Sequence, residues 1–421
     1  MIGPRRRIAP LVLGALGLTF ASCATPTAES GGPETVEVQT TTVDTVPVDH
    51  PATFPDPDAT RVTIAPLPST TLPLVFGAPA AEVFPPLTGW EAFDAYLTRR
   101  IIGGGSNAAS VAISIDGDIV HSAAMGVRSL GSFDLAESQD RYRIASISKP
   151  ITAITMLQLI EEGLIGLDDP VGGLIAGGLG VEQPRAGTSD ITVRQLLTHT
   201  SGFGQYEDLF FRHQVESCED AARVGFSRSL QSTPGGGFRY SNMNFCVLGV
   251  LIEQVTGQPY EEVVYERLLT PLGISGMRLA PTFDPGPDEI EHITTPGRNY
   301  MEVLGAAGAW IATPSDLVTI IDSLDPTTPG WKPLEPETVA MMKTSANDPL
   351  VPDRGYGMGL ILYGGGNSGH TGTIESTHAM VLDRADNVTW AITVSGVYPN
   401  ETPRLAEIVD KALIAGGFLS G

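Results

Sequence analysis

The stretch from Arg143 to Gly163, RIASISKPITAITMLQLIEEG, constrains the fold more than any other part of the chain. At helical periodicity Ile151, Ile154, Met156, Leu157, Leu159 and Ile160 cover most of a circumference rather than one stripe. A helix that is apolar all round must be enclosed by protein, so the chain has to supply layers on several sides of it. Its N-terminal end is polar instead. Pro150 is tolerated only in a first turn, where backbone N–H groups are unpaired anyway, so the helix begins at or just before Ser146.

That placement has chemical consequences. Residues three apart share a helix face, which puts Ser146 beside Lys149, whereas Ser148 points away. A serine at the positive end of a helix, with an amine in reach, has a proton acceptor and a field that favours developing negative charge. Burial of the helix desolvates Lys149 and favours the neutral amine a base requires. The chain has only four lysines, Lys149, Lys332, Lys343 and Lys411, which makes one at this position less incidental.

Around this helix the chain reads as a sandwich of strands and helices. LTGWEAFDAYLTRRI is an amphipathic helix, and AASVAISIDGDIVHSAAMGV is two strands around an Asp116-Gly117 turn. From about 166 to 296 come helical patterns and Gly/Pro-rich loops, including TVRQ at Thr192–Gln195 as a capping box. Thr313, Pro314 and Asp316 form a second helix start. YGMGLILYG, STHAMVLD and VTWAITVSG return to strands, the last two joined by RADN, and PRLAEIVDKALIAGG closes the chain as a helix. The expected class is α/β, with a sheet interrupted by a helical insertion.

Residues 1–86 read differently. Arg5, Arg6 and Arg7, a short apolar run from Leu11 to Phe20 and then FASC fit a lipoprotein signal peptide over 1–23, with Cys23 as the lipidated residue. An ordinary cleaved signal peptide is the alternative. Residues 24–86 are rich in Pro, Thr and acids without helical period, an expected disordered tether spanning roughly 45 Å as a coil. The domain is expected over 87–421. The predicted location is the outer face of a bacterial membrane, anchored by lipid, or else secretion.

Charge and cysteine content bound the partners. Asp and Glu number 48 against 25 Lys and Arg, a formal charge of −23, which excludes nucleic-acid binding through a basic face. The histidines are scattered and the cysteines lack zinc-type spacing, so no metal and no cofactor are expected. Two readings stay open for Cys218 and Cys246: a disulfide, which would stabilise by about 3–4 kcal/mol, or two unpaired buried thiols.

S-x-x-K alone recurs by chance. Two further motifs accompany it: Tyr240 and Asn242 in FRYSNMNFCVLGVLIEQVTG, before a second apolar helix, and His370-Thr371-Gly372 in NSGHTGTIES, placed just before a strand. Together, in this order, they resemble the serine penicillin-recognising enzymes, in the branch holding class C β-lactamases, D-alanyl-D-alanine carboxypeptidases and related esterases. LLTHTSG, PLGISGM, GAAGAWIATPSDL and RGYGMGL resemble framework segments of that branch, and His199 within the first is read as structural.

The resemblance covers 87–418 and implies an antiparallel sheet flanked by N- and C-terminal helices, with an inserted all-helical subdomain. It also implies roles. Ser146 would be the acylated nucleophile, Lys149 its proton partner, and Tyr240 the relay to the leaving group. Asn242 would bind the acyl-side amide, and the backbone N–H groups of Ser146 and Thr373 would form the oxyanion hole. His370, Thr371 and Gly372 stand where β-lactamases usually carry Lys-Thr-Gly. With Thr371, His370 could bind a terminal carboxylate, more weakly than lysine would. Lys343-Thr344-Ser345 imitates that third motif but precedes no strand. Three functional readings follow. They are a D,D-carboxypeptidase-like hydrolase on peptidoglycan stem peptides, an esterase or β-lactamase with the same acyl-enzyme, and a non-catalytic binding protein.

Overall fold

The structure, a computed structural model, describes residues 87–347 and 352–419. The readings placed on Cys23, the signal peptide and the tether therefore lie outside the described residues.

The domain opens with α1, Gly89–Ile101, and the hairpin β1, Ser106–Ile115, with β2, Asp118–Gly126. The hairpin turns at Asp116 (φ 54°) and Gly117 (φ 86°), the two positive φ values that an Asp-Gly pair accommodates. β3, Tyr142–Arg143, leads into a 3₁₀ turn at Ala145–Ile147 and then α2, Ser148–Glu161. The helical region that follows holds α3, Gly172–Gly178; α4, Val193–Leu197; α5, Glu207–Phe211; α6, Cys218–Ser227; α7, Asn242–Thr256; and α8, Tyr260–Val264. Next come β4, Arg278–Leu279; α9, Tyr300–Leu304; β5, Trp310–Ala312; α10, Pro314–Asp322; and α11, Pro336–Met342. The chain then runs through β6, Arg354–Tyr356; β7, Ile361–Gly364; β8, Asn367–Ile374; β9, Thr377–Asp383; β10, Val388–Gly396; and α12, Arg404–Ala415.

Seven strands form one antiparallel sheet in the order β2-β1-β10-β9-β8-β7-β6. Both its faces are covered, which is why β1 and β10 are buried almost throughout. On one face Ala109, Val111, Ile113, Trp390 and Ile392 pack with Phe93 and Leu97 of α1 and Leu405 and Val409 of α12. On the other, Ala112, Ala391 and Val381 meet a larger core containing α2, α7 and α10. Within it Ile151, Ile154, Met156, Leu157 and Leu159 of α2 are at most 1% exposed. At about 1.5–3 kcal/mol per fully buried side chain, that helix is a principal organiser of the core. Ile160 is only half-buried.

Local signals place the helix starts that matter. Thr192 and Thr313 each make the reciprocal capping box with the side chain three residues on, and Ser241 caps α7 by accepting from Met243 N–H. Two expectations need correction. The stretch YGMGLILYG is two strands, not one, because the chain breaks at Gly357–Leu360 to pass against α2. His370-Thr371-Gly372 lie inside β8 rather than before a strand, since β8 is paired from Ser368 to Ile374.

Candidate active site

Ser146 sits in the 3₁₀ turn that joins β3 to α2. The residue before it, Ala145, is held at φ 48° and fully buried, a conformation costing of order 1–3 kcal/mol for a residue with a Cβ. Surrounding contacts enforce it. Ile144 N–H donates to Trp310 O at 3.2 Å, and Tyr142 and Arg143 pair with Ala312 and Ile311 of β5. The buried Arg143 donates to Thr294 Oγ1 at 2.8 Å and to Tyr300 OH at 2.6 Å.

Lys149 is completely buried, and its Nζ has three polar neighbours. Ser146 Oγ is at 3.0 Å, Asn242 Oδ1 at 2.9 Å and the Ala307 carbonyl oxygen at 2.8 Å. Burial holds its pKa well below the ordinary lysine value. A neutral amine has two N–H bonds and one lone pair. Ala307 O can only accept and Asn242 Oδ1 accepts, which uses both N–H bonds and directs the lone pair to Ser146. The Tyr240 and Phe245 rings lie beside the same nitrogen, 5.0 and 5.8 Å from it.

Asn242 is the first residue of α7, and Tyr240 immediately precedes the Ser241 cap. The Tyr240 side chain hydrogen-bonds Ser146, while burial of its hydroxyl raises its pKa more than that bond lowers it. The phenol therefore stays protonated. Helix α7 approaches the turn at Gly305–Ala307 because Gly249 has no Cβ, which would stand 2.6 Å from the Ala306 Cβ. That approach presents the Ala307 carbonyl to Lys149.

On the other side, β8 runs against the chain that leads into Ser146. A Cβ on Gly372 would stand 2.0 Å from Ile144 O, so only glycine allows this contact, and it brings the Thr371–Thr373 backbone alongside Ser146. Thr371 is half-buried and Thr373 exposed, so both face the opening. His370 is 1% exposed. Its Nδ1 donates to Thr371 O at 2.7 Å and its Nε2 accepts from Tyr356 OH at 3.2 Å. Burial first, and after it Lys149 when that amine is protonated, push its pKa down to about 3.

The remaining expected residues sort clearly. Cys218 and Cys246 are joined as a disulfide with Cα atoms 5.5 Å apart, linking α6 to α7 one turn beyond Asn242. Lys343 pairs with Asp383 at 2.7 Å, at the opposite end of β9 from His378, the residue that pairs with Thr373, and so stands apart from Ser146. Among the described residues no group of His, Cys, Asp and Glu could hold a metal ion.

Three contributors were not anticipated as such. The Ala307 carbonyl lies within the expected framework segment GAAGAW, but no side chain advertises it. Tyr356 lies within RGYGMGL. His199, read as structural, borders the site: its ring centroid is 4.4 Å from that of Tyr240 and 4.7 Å from that of Tyr356. Its Nδ1 accepts from Ser241 N–H at 3.2 Å and Asn244 Nδ2 at 2.8 Å, so the proton is on Nε2.

Comparison with known proteins agrees with this architecture. The sequence profile of the family described as Beta-lactamase matches residues 93–413. Penicillin-binding protein 4 of Amycolatopsis lactamdurans is 29% identical over 192 residues, 44% of this chain and 46% of that protein. The D-alanyl-D-alanine-carboxypeptidase/endopeptidase AmpH of Escherichia coli K12 is 25% identical over 235 residues, 53% of this chain and 59% of that protein. The match thus spans only about half the length of these relatives. The crystal structure of a D-stereospecific amidohydrolase from Streptomyces sp. superposes with a TM-score of 0.59 at 26% identity, covering 75% of this chain and 97% of that one. The chain belongs to the β-lactamase family of serine hydrolases, which includes the penicillin-binding proteins.

Proposed function

We propose that the protein is a serine hydrolase that forms an acyl-enzyme at Ser146 on D-alanyl peptides of the bacterial cell wall, outside the cytoplasm. The observation that carries this reading is the buried Lys149, its Nζ within hydrogen-bond distance of Ser146 Oγ, Asn242 Oδ1 and the Ala307 carbonyl oxygen and its pKa pushed down by burial towards the neutral amine. Ser146 Oγ attacks the carbonyl carbon and its proton passes to Lys149. The new oxyanion is met by the backbone N–H groups of Ser146 and Thr373. Tyr240, protonated and hydrogen-bonded to Ser146, gives its proton to the leaving group and regains one from Lys149. Water then attacks the acyl carbon, the same groups acting in reverse, and Ser146 is released. The D-alanyl substrate class is supported by the Escherichia coli relative, a D-alanyl-D-alanine-carboxypeptidase/endopeptidase. The charge of −23 and the N-terminal signal and tether pattern support work on a wall polymer from a lipid anchor at Cys23.

A second reading, an esterase or amidase with the same acyl-enzyme, is favoured by one observation. Both nitrogens of His370 are occupied within the protein, which removes a charged contact for a terminal carboxylate.

Intact mass after incubation with benzylpenicillin, beside a Ser146→Ala control, tests the acyl-enzyme. A penicilloyl adduct on the native protein and none on the variant is the expected result. An adduct that survives Ser146→Ala overturns the assignment. Native protein that takes up neither benzylpenicillin nor a fluorophosphonate would mean a non-catalytic member of the family.

A further inference from the structure

We propose that His199 is a positioning residue for Tyr240: it holds the backbone N–H groups of the residues on either side of the phenol and so sets where that phenol stands against Ser146. The inference rests on the reading of Tyr240 as proton donor to the leaving group and adds the residue on which that role depends.

Tyr240 belongs to no helix or strand. It follows Pro234-Gly235-Gly236-Gly237, with Gly235 at φ 77° and Gly237 at φ 149°, and it precedes α7, which starts at Asn242. Glycine takes up many backbone conformations at little cost, so such a run by itself does not hold a side chain to the tolerance that proton transfer requires. The hold comes from a segment some forty residues earlier. Arg239 N–H donates to the His199 carbonyl oxygen at 2.8 Å, and Ser241 N–H donates to His199 Nδ1 at 3.2 Å. The residues before and after Tyr240 are thus both bonded to His199, and the imidazole lies against the phenol ring, 4.4 Å between centroids.

Two features of His199 exceed what packing needs. It stands just past the end of α4 at φ 56° and fully buried, a position where helices usually place glycine. In that conformation its carbonyl and its side chain reach the same segment, Arg239–Ser241. The second feature is the unequal use of its nitrogens. Nδ1 accepts from Ser241 N–H and from Asn244 Nδ2 at 2.8 Å, whereas Nε2–H finds no hydrogen-bond partner among the described residues. A phenylalanine would fill the space between Tyr240, Phe245 and Tyr356 without burying an unpaired donor. What it would lack is the acceptor at Nδ1, and one of the two groups held there is the N–H of the Tyr240–Ser241 peptide bond. Ser241 Oγ also bonds Gly204 O at 2.6 Å, so the start of α7 keeps an anchor when Nδ1 is lost and the displacement falls on Tyr240.

The test uses the full chain and one acyl group on two leaving groups, the p-nitrophenyl and methyl esters of N-acetyl-D-alanine. p-Nitrophenolate departs without a proton, whereas methoxide must be protonated as it leaves, so displacing Tyr240 slows the methyl ester selectively. His199→Phe keeps a ring and loses the acceptor. It is expected to lower kcat/KM for the methyl ester about tenfold or more, and for the aryl ester by less than about twofold. His199→Asn, which places an acceptor near Nδ1 and tolerates positive φ, is expected to recover most of that loss. Should His199→Phe not fold, His199→Gln, whose side-chain oxygen falls nearer the place of Nε2, stands in for it. In a Tyr240→Phe background neither variant should lower the methyl ester rate further. Unchanged methyl ester turnover, equal losses on both esters, or a further loss in the Tyr240→Phe background each overturn the inference. So does a His199→Asn variant no better than His199→Phe, or failure of both His199→Phe and His199→Gln to fold. Native protein that takes a fluorophosphonate at Ser146 but leaves the methyl ester intact overturns it alone, and absence of that label removes the acyl-enzyme reading and the inference with it.

Discussion

Lys149 Nζ lies 2.8 Å from the Ala307 carbonyl oxygen, across 158 residues of sequence, so the amine is oriented by a backbone group that no side-chain substitution removes. Together with Asn242 it leaves the lone pair to Ser146. In the proposed mechanism Lys149 must be unprotonated to act as the base, and because burial lowers its pKa, protonation sets in only below that lowered value. kcat/KM should therefore fall as pH drops through the lowered Lys149 pKa and hold level above it. Lys149→Ala is expected to lose about 10²–10⁴-fold in acylation rate, as for removal of a positioned base. Lys149→Arg should not restore it, because a guanidinium stays charged. The acylation rate measured against pH, by stopped-flow with a chromogenic substrate, checks both. An acylation rate flat from acid to alkaline pH would assign the base elsewhere.

The disulfide between Cys218 and Cys246 ties α6 to α7, the helix whose first turn carries Asn242. Gly305, at the start of the turn that offers Ala307 O, lies against Cys218: a Cβ there would be 3.0 Å from the Cys218 Cβ. The bridge thus backs both groups that take the Lys149 N–H bonds. Its loss should cost about 3–4 kcal/mol of stability. Paired Cys218→Ser/Cys246→Ser protein should show a lower Tm and, below that Tm, a lower kcat with little change in KM. Calorimetry and steady-state kinetics on native and variant protein separate the two effects, and an unchanged kcat would confine the bridge to stability.

Acid should unfold this domain early. His199, His292 and His370 are buried, and burial is the first cause that lowers each pKa below the ordinary value. The unfolded chain therefore binds more protons than the native state below about pH 6.5, and stability must fall as pH drops through that point. Each histidine contributes about 1.4 kcal/mol per pH unit until its own folded pKa is reached. Asp410, raised to about 6 by burial, works in the opposite direction below that pH, because the native state then holds the extra proton. Asp322 and Asp383 shift the same way as Asp410. The loss should begin near pH 6.5 and steepen towards pH 5.5, offset in part by Asp410. Urea midpoints at pH 7.5, 6.5 and 5.5 measure it, and a midpoint that does not move across that range would mean these rings are not buried neutral.

Much of this protein is legible in short stretches of its sequence because the causes are local. Pro150 and the all-round apolar run after it show that α2 starts close to Pro150 and is enclosed, although the α-helix begins at Ser148 and Ser146 lies in the 3₁₀ turn before it rather than in the helix. The spacing of Ser146 and Lys149 puts them on one face, Asp116-Gly117 turns the first hairpin, and Thr192 and Thr313 place helix starts. Each of these follows from backbone sterics or from hydrogen bonds a few residues long. Tertiary structure decided the rest. Ala307 offers only a backbone oxygen, so nothing in its side chain marks it as a partner of Lys149. The disulfide depended on two helices meeting. His370 could have faced a substrate as a cation, but Tyr356 and the burial of β8 left it a neutral ring bonded at both ends. The physical reason is common to all three. A proton's position, a thiol's partner and a side chain's charge depend on what packs against the group, and the packing partners are distant in sequence.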